Sequence, residues 1–293
     1  MSNYSIRDLE QLSGIKAHTL RIWEQRYQLI KPNRSETNIR NYDTTQLKLI
    51  LNVALLRNHG LKISEIAKCS YEQIESQVAE ISEKKLNYPD QIQALTTSML
   101  ELNEDKFEEI LNANIDKFGF ENVMVNIIYP FLSKIGILWI TGAIGPAQEH
   151  FMSSLIRQKI YVAINGLPKP NGNNQKTIIL FLPEGEYHDI GLLFANFVFR
   201  ARGLKVIYLG QSLPINDLSF ATDLYKANFI FTAITSSPTA EKIQAYLDNI
   251  SKKFEKINIF VTGYQVINKK LNFGKNVTLL STVEELQKIV NWF

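Results

Sequence analysis

The residues with the most chemistry in this 293-residue chain are Glu186-Tyr187-His188-Asp189-Ile190-Gly191. A neutral imidazole ligates a metal through one ring nitrogen while a carboxylate orients it through the other. The stretch follows an apolar run, 177–182, and a Pro183-Glu184-Gly185 break, and it precedes a helical pattern. His188 therefore belongs on the loop at the carboxyl end of a first strand, where open α/β sheets take their ligands. On its own residues it reads equally well as a plain loop histidine. Trp139 and Glu149-His150 flank a short loop between two helical patterns. On residues alone, Trp139 fills the end of a bundle and Glu149 and His150 are solvated. A third group, Lys16, His18, Thr19, Arg21, Arg26 and Arg34, lies near the start. Arginines there suit bidentate pairing with guanine or phosphate.

The elements that position these groups follow from periodicity and caps. Ser5 with Asp8 three positions on is a capping-box pattern, and Ile6, Leu9 and Leu12 share a helical face. After Ser13-Gly14 a second helix runs from about Lys16 to Gln25, with Leu20 and Trp23 inward. Two short helices about a glycine turn form a helix-turn-helix, whose second helix enters the major groove. Residues 27–42 read as a β-ribbon wing, Asp43 caps a helix over 44–58, and a short helix covers 63–67. A connecting helix over 71–85 ends at Asn87-Tyr88-Pro89. Helical patterns at 90–102, 104–118, 122–139 and 146–164 predict a four-helix bundle. A Gly/Pro/Asn-rich linker, 166–174, follows. Strands at 177–182, 204–209, 228–233, 257–262 and 277–280 then alternate with helices at 189–202, 216–225, 239–252 and 283–291. That alternation predicts a doubly wound parallel sheet. The fold class is thus multi-domain, α and α/β. Its parts are a winged helix-turn-helix at 1–72, a connector at 73–89, the bundle at 90–168 and the sheet domain at 175–293.

Composition narrows the function. Apolar residues make up 45% of the chain, so it is globular. Residues 1–70 carry eleven Lys and Arg against six Asp and Glu, while the remainder carries 21 against 23. The basic excess points to an anionic partner for the N-terminal part alone. Single Cys69 excludes a disulfide framework and a CxxC zinc site. No apolar run reaches the ~18 residues of a membrane span, and the N-terminus lacks a signal region. A cytoplasmic location without membrane contact is expected. A GxGxxG turn, a phosphate loop and a Ser/His/Asp set are absent from the sequence, so no enzyme is expected; His59 and Cys69 read as structural or incidental.

The string His18-Thr19-Leu20-Arg21-Ile22-Trp23-Glu24-Gln25-Arg26-Tyr27, then Pro32-Asn33-Arg34 and Arg40-Asn41-Tyr42, resembles the DNA-binding domain of MerR-type transcription regulators. The resemblance implies DNA contacts by Arg21, Arg26, Arg40 and Tyr42. The family's long dimerisation helix is replaced by about four turns over 71–85, so oligomer formation must come largely from elsewhere. Glu186-x-His188-x-x-Gly191, Thr232-Ala233-Ile234 and Gly263-Tyr264 resemble the cobalamin-binding pattern Asp-x-His-x-x-Gly, Ser-x-Leu, Gly-Gly. Trp139, nine residues, then Glu149-His150 resembles the signature of cobalamin-dependent MerR-type photoreceptor regulators, the CarH/LitR group. By that resemblance His188 ligates cobalt from below. Trp139, Glu149 and His150 border an adenosyl or methyl upper ligand. Glu186, Asp189, Gly191, Thr232, Ser236, Gly263 and Tyr264 line the cobalamin site. Tyr264, where the pattern has glycine, would set a ring beside the nucleotide tail. The implied protein binds a repeated or palindromic DNA operator as a homo-oligomer, dimer or tetramer, under control of cobalamin and light. Two alternatives stand beside it: a regulator that keeps the fold without the cofactor, and a corrinoid carrier for a methyltransferase.

Overall fold

Two capping boxes set the N-terminal region of the computed structural model, which describes residues 4–34, 38–84, 88–140, 144–168, 176–236 and 239–289. Ser5 caps α1 (Ile6–Ser13): its hydroxyl accepts from the Asp8 N–H, and the Asp8 carboxylate accepts from the Ser5 N–H at 2.7 Å. Asp43 and Gln46 do the same for α3 (Thr44–Asn58). Between them lie α2 (Ala17–Tyr27) and the paired strands β1 (Asn33–Arg34) and β2 (Arg40–Asn41), antiparallel with Arg34 opposite Arg40. The stem of the expected wing is thus present, and its residues 35–37 lie outside the described residues. Leu9, Leu12, Leu20, Trp23, Leu47 and Ile50 form the core of this region.

Next come α4 (Ile63–Ile66) and α5 (Tyr71–Lys84), then the helices α6 (Tyr88–Glu101), α7 (Glu104–Phe118), α8 (Phe120–Val123), α9 (Tyr129–Ile140) and α10 (Pro146–Asn165). Tyr88 and Pro89 open α6, whereas Asn87, where the preceding helix was expected to stop, lies outside the described residues. The single helix expected over 122–139 contains a π turn, Met124–Ile128, between α8 and α9. Pro130 is the physical reason: it has no N–H to donate and crowds the carbonyl four residues back, and the wider turn just before it relieves both. Residues Phe120–Trp139 are long and apolar enough, by length and composition, to cross a membrane. This corrects the expectation that no stretch reaches that length. Val123, Ile127, Phe131 and Ile135 are buried, and 39% of the apolar window is buried in all.

The chain divides into two compact units, Met1–Leu155 and Ile156–Phe293, so the first three bundle stretches join the helix-turn-helix region in one unit. Polar ties between α3 and α6 explain this. His59 Nε2 lies 2.6 Å from the buried Asp90 carboxylate, so of the two readings of His59 the contact favours the structural one. Lys48 pairs with Glu75 on α5 at 2.6 Å and with Glu101 on α6. Gln93 donates to the Leu51 carbonyl.

The second unit holds β3 (Thr177–Pro183), α11 (Ile190–Ala201), β4 (Lys205–Leu213), α12 (Ile215–Tyr225), β5 (Phe229–Ala233), α13 (Ala240–Lys253), β6 (Asn258–Thr262), α14 (Tyr264–Ile267), β7 (Val277–Leu279) and α15 (Val283–Lys288). Most of the linker expected over 166–174 lies outside the described residues. The five strands are parallel in the order β4-β3-β5-β6-β7. β3 is buried along its whole length, as a central strand covered on both faces must be. Ile179 and Phe181 pack with Leu218, Ile243 and Leu247 of α12 and α13. The chain order runs outward in opposite directions from β3 and β5, so the switch point lies between their carboxyl ends.

Candidate functional site

Glu186 sits at that switch point and is 3% exposed. Its Oε1 accepts from the N–H groups of Tyr187 and His188 and lies 2.6 Å from His188 Nδ1. Its Oε2 accepts from the N–H groups of Thr235 and Ser236, just past β5, at 2.7 and 2.6 Å. Burial alone would raise the carboxyl; the hydrogen bonds from His188 and Ser236 outweigh it and hold Glu186 far below the usual carboxylate range. A charged carboxylate bonded through both oxygens thus orients the imidazole, whose side chain is 66% exposed. With Nδ1 held, ligation would use Nε2. Among the described residues no group of three or more His, Cys, Asp and Glu is placed to hold a bare metal ion. A single oriented imidazole could supply one ligand to a metal held mainly by other donors.

The loop is braced from β4. Register shifts beside Phe181 bend the end of that strand, and Ser212 adopts φ 50°, a rare conformation for a side-chain-bearing residue. Ser212 Oγ then accepts from the Gly185 N–H, and the Ser212 N–H donates to the Glu186 carbonyl. Gln211 Nε2 donates to the Tyr187 carbonyl at 2.9 Å. Sequence reading missed Gln211 and Ser212, because a polar pair at a strand end carries no signal of what it will meet.

The other expected residues fall into distinct places. Gly191 lies in the first turn of α11; a Cβ there would meet nothing within 4 Å and its φ is not left-handed. The protein itself has no evident need for glycine at that position, which leaves open space against the helix start beside His188. Thr232 is fully buried, and its Oγ1 has no hydrogen-bond partner among the described residues. Gly263, at φ +110°, is required by the fold: a Cβ would lie 2.3 Å from the Ile234 carbonyl oxygen. Tyr264 is 66% exposed, so its ring does not plug the interior. Ser236 serves Glu186 through its backbone N–H. Asp189 is buried, and its carboxylate accepts from Arg157 Nε at 2.7 Å. Trp139 is 47% exposed, contrary to an indole that fills a bundle end. In the first turn of α10, His150 Nδ1 lies 2.7 Å from the Glu149 carboxylate.

On the N-terminal region the geometry is that of a helix with one wet side. Lys16, His18, Arg21 and Arg26 are exposed along or beside α2, Thr19 partly so, while Leu20 and Trp23 are buried. Arg40 is drawn to Glu24 on α2 at 2.9 Å, and Arg34 lies 3.6 Å from the same carboxylate. Glu24, unassigned by sequence, therefore braces Arg40, while Arg34 donates to Asn38 Oδ1 at 2.7 Å. Tyr42 is a correction: it is fully buried and bridged to Tyr4, so its ring belongs to the core and does not reach DNA. Lys16 pairs with Glu10 at 3.2 Å.

Residues 4–72 match the family described as MerR HTH family regulatory protein, and residues 91–164 match the B12 binding domain. The chain is 27% identical over 257 residues to the HTH-type transcriptional repressor CarH of Myxococcus xanthus, covering 84% of each. It is 26% identical over 291 residues to the HTH-type transcriptional repressor CarA of the same organism, covering 98% of this chain and 96% of that one. The monomethylamine corrinoid protein of Methanosarcina barkeri has a similar fold, with a TM-score of 0.54 at 12% identity, covering 71% of this chain and all of that one.

Proposed function

We propose, from a chain that joins a MerR-type helix-turn-helix region to a B12 binding domain and is homologous to two HTH-type transcriptional repressors, that this protein is a DNA-binding transcription regulator, not an enzyme, whose hold on its operator is set by a bound cobalamin. The observation that carries the cofactor reading is the buried, charged Glu186 orienting an exposed imidazole at the switch point of a parallel sheet. His188 holds the lower face, with Gly191 leaving room at the start of α11. Thr232, Ser236, Gly263 and Tyr264 border the tail side. Trp139, Glu149 and His150 serve the upper ligand. Cobalamin, when bound, would supply a cobalt-bound adenosyl or methyl group as the light-sensitive element. The domain limits we propose are 1–72, 73–89, 90–168 and 175–293. The sign is repression, by analogy with the two relatives, and the location is the cytoplasm, where the DNA is.

The DNA-facing side chains are Lys16, His18, Thr19, Arg21, Arg26, Arg34 and Arg40. A homo-oligomer, dimer or tetramer, presents paired recognition helices to a repeated or palindromic operator. Each phosphate contact releases counterions, so Arg21→Ala and Arg26→Ala each flatten the log-affinity against log-salt slope by about 1 if the residue meets a phosphate. If the residue reads a guanine instead, each costs about 1–3 kcal/mol and relaxes the operator at one base. Filter binding across a salt series checks this, and slopes and base preferences like wild type would remove either residue from the interface.

The function itself is tested on the full chain purified in the dark with adenosylcobalamin or methylcobalamin. Visible spectra and gel shifts on an operator selected from random DNA are taken before and after green illumination. Corrin absorption that changes with light, together with at least a tenfold change in operator affinity, is expected; that ratio is about 1.4 kcal/mol of coupling. Operator binding without corrin absorption would make the protein a cofactor-free regulator. Corrin absorption without DNA retention would make it a corrinoid carrier.

A further inference from the structure

Asp189 occupies the N-cap of α11, yet its side chain makes no capping bond. An aspartate there ordinarily accepts from the N–H of the second or third helical residue. Here the carboxylate, nearly fully buried, turns to Arg157 Nε at 2.7 Å, and only the Asp189 carbonyl serves the helix, accepting from the Leu193 N–H. Forgoing a local cap for a long-range ion pair needs a gain elsewhere. Arg157 lies on α10, seven residues after His150 and so about two turns along the same face. Asp189 is the residue directly after His188, whose ring is already held by Glu186 through Nδ1.

We infer that Arg157 is a positioning residue for the His188 loop: through its ion pair with Asp189 it ties the backbone beside the cobalt ligand to α10, the helix that bears Glu149 and His150. The inference rests on the cobalamin reading above. Glu186 sets which way the imidazole points; Arg157 sets where the loop stands. A change of ligation that shifts His188 then strains the Asp189–Arg157 pair and is passed to α10 as a displacement, whereas a loop without that pair absorbs the shift locally.

The test uses the full chain loaded with cobalamin, as wild type, Arg157→Lys, Arg157→Met and the double variant Arg157→Met/Asp189→Asn. The double variant leaves no buried carboxylate deprived of its arginine, so it remains informative if Arg157→Met alone fails to fold. Two quantities are read: the fraction of protein in the histidine-ligated spectral form, referenced to His188→Ala, and the ratio of operator affinities with and without cobalamin. For Arg157→Met and the double variant we expect corrin absorption to persist, the histidine-ligated fraction to fall at least twofold, and the affinity ratio to drop from tenfold or more to below threefold. The double variant should be no worse than the single, as for two members of one interaction. Arg157→Lys should recover part of both readouts. Spectra and ratios within 1.5-fold of wild type in the double variant would overturn the positioning role while leaving the cobalamin reading intact. A wild-type protein with no corrin absorption would overturn both.

Discussion

His188→Ala is expected to eliminate the histidine-ligated visible spectrum of the cobalamin-loaded chain and to weaken cobalamin retention by at least about 10-fold. Loss of orienting partners alone typically costs 10- to 100-fold in metal affinity, and removing the ligand should cost no less. The imidazole is well exposed, so its deletion opens no core cavity, and the apo fold should keep its thermal midpoint within a few degrees. That combination separates a ligand from a structural histidine. Operator affinity should become the same with and without cobalamin, because a ligand shifts an equilibrium only by its differential affinity for the two states. A spectrum unchanged from wild type would remove His188 as the lower ligand and with it the central claim about the sheet domain.

Glu186→Gln should be more damaging to the fold. The carboxylate accepts from four backbone N–H groups and from His188, and all of them are donors. A carboxamide offers one oxygen, so its NH2 must face either the Tyr187–His188 side or the Thr235–Ser236 side, donor against donor. Leaving buried donors unmet costs about 1–3 kcal/mol each at worst. We expect a net loss near 3 kcal/mol, read as a fall of roughly 6–12 °C in the melting midpoint of the C-terminal unit. The pH dependence has a definite sign. The folded-state carboxyl lies far below its unfolded value, held there by hydrogen bonds that overcome burial. Its stabilisation is therefore complete above the ordinary carboxylate pKa of about 4.3 and is lost progressively as pH falls below it. Denaturant titrations at pH 7, 4 and 3 should show the gap between wild type and Glu186→Gln closing toward acid. A gap that is constant or widens at low pH would mean that Glu186 is not ionised in the fold.

What was legible in the sequence was local in origin. The capping boxes at Ser5 and Asp43, the helices over 104–118 and 44–58 and the strands of the sheet were each encoded within a few residues, by periodicity and hydrogen-bonding side chains. The π turn was missed because the long apolar pattern hid Pro130, whose effect depends on backbone geometry one turn earlier. Tyr42 was misassigned for a different reason. Its place after Arg40-Asn41 resembles a DNA contact, but strand pairing with Tyr4, 38 positions away, turns it into the core.

By itself the sequence determined the order of the parts, the strand whose carboxyl end delivers His188, and the carboxylate two positions before it. Spacing suffices for these, since a residue's place on a strand, helix or loop is a local property. Only the tertiary structure decided what those residues touch. It brought the Thr235 and Ser236 N–H groups to Glu186, set Arg157 against Asp189 in place of a helix cap, and fastened α3 to α6 through His59 and Asp90. Each of these pairs is separated by 31 to 50 residues. Which distant donor meets a buried carboxylate is settled by packing, because the cost of leaving it unmet is imposed only once water has been excluded.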